Sequence, residues 1–173
     1  MSLSGKKLII LVEKLYEDLE LWFPYYYLKG EGAHINIVSP ESNITYKGKN
    51  GYPVTSDLGV FQVNLDNIDG LLIPGGFAPD YLRRNNQIVQ LVKDAYNSGK
   101  LIAAICHGPA VLINAGILAG KKVTCFMAIK QDVINAGAEY LDQEVVQDVN
   151  LITSRKPDDL SAYCKAIISF LTQ

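Results

Sequence analysis

Cys106-His107-Gly108 is the tripeptide of this chain best suited to covalent chemistry. It follows the apolar run Leu101 to Ile105, which predicts a buried strand, and precedes Pro109-Ala110-Val111-Leu112-Ile113, which opens as a helix. A thiol at such an apex is placed as a catalytic side chain is placed on the strained elbow above a parallel sheet. Orphan N–H groups and the positive end of a helix dipole stabilise an anion there. The position therefore predicts that Cys106 ionises more readily than a free thiol. In open α/β sheets functional groups gather outside the carboxyl ends of the strands, and two more strand ends carry unusual residues. The first strand runs into Glu13, Glu17, Asp18 and Glu20, and the third core strand into Pro74-Gly75-Gly76. With these strands as neighbours, a carboxylate, a glycine turn and a Cys-His pair meet in one crevice. They supply what acyl or carbonyl chemistry requires, namely a nucleophile, a proton carrier and N–H donors for a developing oxyanion.

Each of these residues also has an ordinary explanation. A cysteine inside a cell is usually an inert small hydrophobe, which is the reading for Cys125, within a strand, and Cys164, on the apolar face of the last helix. His34 is a polar residue at the start of a strand. The acids at positions 13, 17, 18 and 20 complement a helix N-terminus, and only one of them need enter a site. Gly75-Gly76 serves equally as a tight turn, and Asp80 as a helix N-cap.

The elements that must position these groups alternate along the chain. Strands are predicted over Lys7 to Val12, Ile35 to Ser39, Gly70 to Ile73, Leu101 to Ile105, Lys122 to Phe126 and within Tyr140 to Thr153. Helices are predicted over Leu19 to Lys29 despite Pro24, Tyr81 to Asn97, Ile129 to Asn135 and Asp158 to Leu171. A polar excursion between Thr45 and Leu58 contains Asn50-Gly51, a hairpin signal, so a small β ribbon is expected to project there. The pattern predicts one α/β domain over 1–173, a flavodoxin-like three-layer sandwich with a mostly parallel sheet covered on both faces.

Composition restricts the partners. A chain of 173 residues, 49% hydrophobic and 20% charged with a net charge of −2, buries a core without staples and offers no basic face for nucleic acid or anionic membrane. The apolar runs are strand-length, no signal-peptide layout opens the chain, and three widely spaced cysteines form no C-x-x-C pair. Reduced thiols in the cytoplasm are expected, with no zinc site and no cofactor.

Four segments resemble a known family: Tyr16-Glu17-Asp18-Leu19-Glu20-Leu21, Leu72 to Asp80 with Pro74-Gly75-Gly76-Phe77-Ala78-Pro79, Ala104 to Pro109 around Cys106, and Asn135-Ala136-Gly137-Ala138-Glu139. In order and spacing they are similar to the PfpI-type intracellular proteases of the class I glutamine amidotransferase-like superfamily, relatives of the parkinsonism-associated deglycase. The resemblance spans roughly Lys7 to Leu171. It implies that Cys106 is the nucleophile and His107 its base, that Glu17 is the buried carboxyl bonded to the thiol, and that Asp80 orients His107 from an adjacent subunit. It further implies oxyanion donors at Gly75, Gly76 and the His107 amide, and a homo-oligomer, either a dimer or a hexamer built from dimers. Two departures stand out. Asp80 replaces a Glu found in some members and is shorter by one methylene, and Phe126 replaces a Tyr, which removes any proton-donor role there.

The resulting expectation is a cofactor-independent cysteine hydrolase of PfpI type acting on a peptide or a small-molecule carbonyl. Glyoxalase or deglycase activity is the alternative, in which the thiolate adds to an α-oxoaldehyde or to its adducts on amines and thiols. A redox-sensing or chaperone-like stress protein with an oxidisable Cys106 is the third.

Overall fold

The computed structural model describes residues 1–173. In chain order its elements are β1 (Lys7–Leu11), α1 (Asp18–Gly30), β2 (His34–Ser39), β3 (Thr45–Lys47), β4 (Pro53–Thr55), β5 (Leu58–Gly59) and β6 (Gly70–Ile73). There follow α2 (Ala78–Leu82), α3 (Asn86–Asn97), β7 (Leu101–Ile105), α4 (Pro109–Ala115), β8 (Lys122–Val123) and α5 (Lys130–Asn135). The chain closes with β9 (Glu139–Tyr140), β10 (Val145–Asp148), β11 (Leu151–Ser154) and α6 (Leu160–Leu171).

Seven strands form one sheet in the order β10-β11-β7-β6-β1-β2-β5. All its neighbours are parallel except β10, which runs against β11 from Val145 opposite Ser154 to Asp148 opposite Leu151. Side chains alternate across a strand, so a sheet with apolar residues at every position fills two cores. Ile9, Leu11, Leu71, Ile73, Ile102 and Ala104 point to one side, where Ile88, Leu91 and Val92 of α3 and Val111 and Leu112 of α4 cover them. Leu8, Ile10, Leu72, Leu101, Ala103 and Ile105 point to the other, beneath Leu21 and Leu28 of α1 and Tyr163, Cys164 and Ile167 of α6. This is the three-layer sandwich expected from the alternating pattern. No helix is long and apolar enough to cross a membrane.

Two boundaries differ from the sequence reading. The helix expected over Tyr81 to Asn97 is two helices, because the Asn85 side chain accepts from the Gln87 and Ile88 N–H groups and caps a fresh start. The strand expected over Lys122 to Phe126 ends at Val123 and pairs with β9 in a separate two-stranded ribbon. Cys125 therefore lies outside any strand. Beyond β8 the chain is drawn across the sheet end instead, with the Thr124 N–H donating to Thr153 Oγ1 at 2.8 Å and the Phe126 N–H to the Cys106 carbonyl at 2.9 Å. The ribbon expected between Thr45 and Leu58 is present as the β3-β4 hairpin.

Candidate active site

The strands β7, β6 and β1 are neighbours in the sheet, so their carboxyl ends open into one crevice. Cys106 follows β7 with φ +62°, a left-handed conformation that a side-chain-bearing residue adopts at a cost of about 1–3 kcal/mol. The tight turn that continues into Gly108 and α4 lifts the thiol to the top of the sheet. His107 Nδ1 lies 3.3 Å from the Cys106 sulfur, and its ring packs at 5.1 Å, centroid to centroid, against Phe126. The second ring nitrogen has no hydrogen-bond partner within the chain.

The β6 end contributes the glycine turn. A Cβ on Gly75 would stand 2.5 Å from Glu20 Oε2 and 2.7 Å from Cys106 Cβ, so only glycine admits the carboxyl and the thiol side by side. The Gly75 N–H donates to Glu20 Oε2 at 2.7 Å and is not free for a substrate oxyanion, which corrects its expected role. The Gly76 and His107 N–H groups face the Cys106 sulfur.

The acidic run after β1 divides its labour. Glu20, 2% exposed, is the carboxyl beside Cys106. Glu17, expected in that place, sits at the N-cap of α1 and pairs instead with Lys49 Nζ. The two are three residues apart and share a helix face, so spacing alone does not separate them; Glu20 lies a turn deeper. Asp18 accepts from the Asn50 N–H at 2.9 Å, the Asn50 side-chain amide at 3.1 Å and the Tyr52 N–H at 3.1 Å, pinning the tip of the β3-β4 hairpin. Gly48 belongs to the same clamp, since a Cβ there would lie 2.4 Å from Asp18 Oδ1. Lys49 is thereby carried over the crevice. Sequence reasoning missed it, because its only signal was membership of a turn.

A cavity of about 430 Å³ opens above the sulfur. Glu17, Glu20, Lys49, Gly76, Cys106, His107 and Phe126 line its floor and walls, with Phe77, Asp80, Arg83 and Asp132 also contributing. Asp80 is a first-turn residue of α2 and not its N-cap. Its carboxylate bonds Arg83 Nε and Nη2, at 3.1 and 2.9 Å, and Arg84, and it does not reach His107 of its own chain.

Burial pushes the Glu20 carboxyl up to about 7, against the bond from the Gly75 N–H, with the charge of Glu17 adding to the rise. Burial, then the charge of Glu20, holds the Cys106 thiol above its ordinary value, while the Gly76 and His107 N–H groups oppose. The expectation of an acidic thiol is thus reversed within the chain, chiefly by burial. Protonation of Glu20 removes the second cause. His107 is held below its usual value by burial and by Lys49, so near neutrality its imidazole is uncharged and able to accept a proton. Cys125 and Cys164 are both pushed up to about 12, mainly by burial, and neither lines this cavity. No cluster of three or more His, Cys, Asp or Glu is arranged to hold a metal ion.

The sequence profile of the DJ-1/PfpI family matches residues 6–170. The chain belongs to the DJ-1/PfpI family. Among its relatives, Deglycase PfpI of Pyrococcus furiosus is 43% identical over 165 residues, covering 95% of this chain and 99% of that one. Protein/nucleic acid deglycase 2 of Escherichia coli is 42% identical over 169 residues, covering 96% and 98%. The fold matches the DJ-1/PfpI-like part of a two-domain protein from Anabaena variabilis that also contains a ferritin-like domain, with a TM-score of 0.94 at 45% identity. That likeness covers 96% of this chain and 48% of the Anabaena chain.

Proposed function

We propose that this DJ-1/PfpI member is a cysteine-dependent deglycase that removes α-oxoaldehyde adducts from amines and thiols. The observation that carries the reading is Glu20, a buried carboxyl titrating near neutrality beside the sulfur of Cys106. Transfer of a proton between adjacent carbons needs a carrier poised near the working pH beside the sulfur-bound carbon, in addition to the Cys-His base that peptide cleavage would use. The names of the relatives point the same way and move the weight from the peptidase to the deglycase reading.

In the proposed sequence His107 takes the thiol proton through Nδ1, and Cys106 attacks the carbinol carbon of the adduct. The carbon–nitrogen or carbon–sulfur bond breaks as His107 returns the proton to the departing amine or thiol. The carbinol carbon, now bonded to sulfur, loses its proton to Glu20, the carbinol O–H proton passes to the neighbouring carbonyl oxygen, and Glu20 returns its proton to the carbon bearing that oxygen, which gives a thioester of a 2-hydroxy acid. The N–H groups of Gly76 and His107 face the negative oxygen formed on the way. Water then cleaves the thioester, releasing the 2-hydroxy acid and restoring the thiol. The net change is hydrolysis and consumes no oxidant.

The test uses methylglyoxal adducts of N-acetyl-lysine and N-acetyl-cysteine, with lactate and the freed amine or thiol as products. Wild-type protein is expected to release both in equal amounts, and Cys106→Ser to lose at least about 10³-fold of the rate. Inert adducts together with Cys106-dependent turnover of fluorogenic peptides would return the peptidase reading.

A further inference from the structure

Lys49 is the single side chain that the β3-β4 hairpin sends into the Cys106 cavity. The hairpin tip is fastened for this purpose at several points. Besides the three bonds to Asp18, the Lys49 N–H donates to the Tyr16 carbonyl at 2.9 Å, the Leu15 N–H to the Lys47 carbonyl at 2.8 Å, and the Tyr16 hydroxyl to the Tyr52 carbonyl at 2.5 Å. Held this way, the Lys49 ammonium, 45% exposed, meets the carboxylate of Glu17, 8% exposed.

We propose that Lys49 is a positioning residue that sets the charge felt by the Cys106 sulfur, and that Glu17 is its counter-charge, so that the two act on the thiolate with opposite sign. This rests on the reading of Cys106 as the nucleophile. The charged and titratable groups facing the sulfur are Glu17 and Glu20 of α1, Lys49 of the hairpin and His107 of its own turn, with Asp80 and Arg83 of α2 and Asp132 of α5 at the rim. Glu20 is the charge that raises the thiol most, Asp80 and Arg83 neutralise each other, Asp132 is exposed and His107 is uncharged near neutrality. Beside Glu20, the Lys49–Glu17 pair remains as the adjustable field. A third charge beside an ion pair feels the difference of two opposing contributions, and removing either partner uncovers the other. The Cys106 charge is among the lesser causes that hold Lys49 above its ordinary value, after the dominant contact with Glu17.

The experiment is the pH dependence of Cys106 alkylation by iodoacetamide in the full chain, with the modified residue mapped by mass spectrometry. The midpoint reports the charge on the sulfur and the plateau rate reports access to it. Lys49→Met is expected to raise the midpoint by about one unit, so that alkylation near pH 7 slows about tenfold, and Glu17→Gln to lower it by a similar amount. Lys49→Arg should restore the wild-type midpoint. A purely structural ion pair predicts something different, because Lys49→Met and Glu17→Gln break the same contact and would loosen the hairpin alike. Shifts of the same sign, or no shift in either variant, overturn the proposal. The readout needs no substrate, so opposite shifts in a protein without deglycase activity would sink the proposed function and leave this inference standing, while deglycase activity with unmoved midpoints would do the reverse.

Discussion

Glu20 carries a cost that pH should reveal. Its Oε2 accepts from the Gly75 N–H, and its Oε1 is buried without a hydrogen-bond partner in the chain, the atom on which a proton is most easily accommodated. In the unfolded chain this carboxyl titrates near its ordinary value of about 4.5, and in the folded chain near 7. Between those values the native state binds more protons than the unfolded state. Stability is therefore highest, as far as Glu20 is concerned, below the unfolded value, and falls as pH rises through about 7. The shift corresponds to about 3 kcal/mol, imposed in full only above neutrality. Urea unfolding at pH 5 and pH 8 is expected to show this loss in wild-type protein and not in Glu20→Gln, whose amide carries no charge to bury. A second consequence concerns the thiol. While Glu20 titrates, its charge changes under the sulfur, so Cys106 alkylation should follow a broadened, two-step pH curve in wild-type protein and a single step in Glu20→Gln. Equal pH slopes of stability in the two proteins would show that Glu20 is ionised throughout the range.

The element that completes the site is the β3-β4 hairpin, and Asp18 controls it. Three N–H donors converge on this one carboxylate, 9% exposed, and bonds to a charged acceptor are worth more than neutral ones. Asp18→Ala is expected to cost about 2 kcal/mol and to speed hydrogen exchange at the Asn50 and Tyr52 amides. It should also move the Cys106 alkylation midpoint in the direction expected for Lys49→Met, because Lys49 is no longer held over the crevice. Faster exchange with an unmoved midpoint would separate the clamp from the site. This element also marks where the sequence stopped being legible. Gly70 to Ile73 and Leu101 to Ile105 could be read to the residue, because strands buried on both faces are short apolar runs with sharp edges. The Asn50-Gly51 turn announced a ribbon, but nothing in local spacing told which way the ribbon folds or that Lys49 would line one cavity with a thiol far along the chain. The break of the expected long helix at Arg83-Arg84-Asn85 was hidden for another reason, since no Gly or Pro marks it and the stop is made by an Asn side chain. Glu17 and Glu20 share a helix face, and choosing between them required knowing how deep each reaches.

At the scale of the whole molecule, the expectation still standing as a proposal is that two chains build each site. His107 is left with a ring nitrogen that has no partner in its own chain, and Asp80 lies on the rim of the same cavity, occupied by Arg83 and Arg84. Phe77, one turn from Asp80, is 65% exposed, an aromatic surface beside a site that another copy of the chain would cover. If Asp80 of a second copy orients His107, the two functions reside on different subunits and can be supplied separately. Cys106→Ser lacks the nucleophile, and Asp80→Ala leaves the imidazole without its orienting carboxylate. Neither variant alone is expected to turn over the methylglyoxal adducts at more than a small fraction of the wild-type rate. When the two are dissociated, mixed and reassembled, some sites pair the intact Cys106 and His107 of one chain with the intact Asp80 of the other. Those sites are wild-type in composition, so activity should return in the mixture, with native mass spectrometry confirming that mixed oligomers have formed. The pH profile of the recovered activity should match that of the unmutated protein, because every group facing the sulfur in such a site is original. Mixed oligomers that stay inactive would place the action of Asp80 within its own chain, where its guanidinium partners already hold it, and would leave the second nitrogen of His107 to be oriented by the substrate itself.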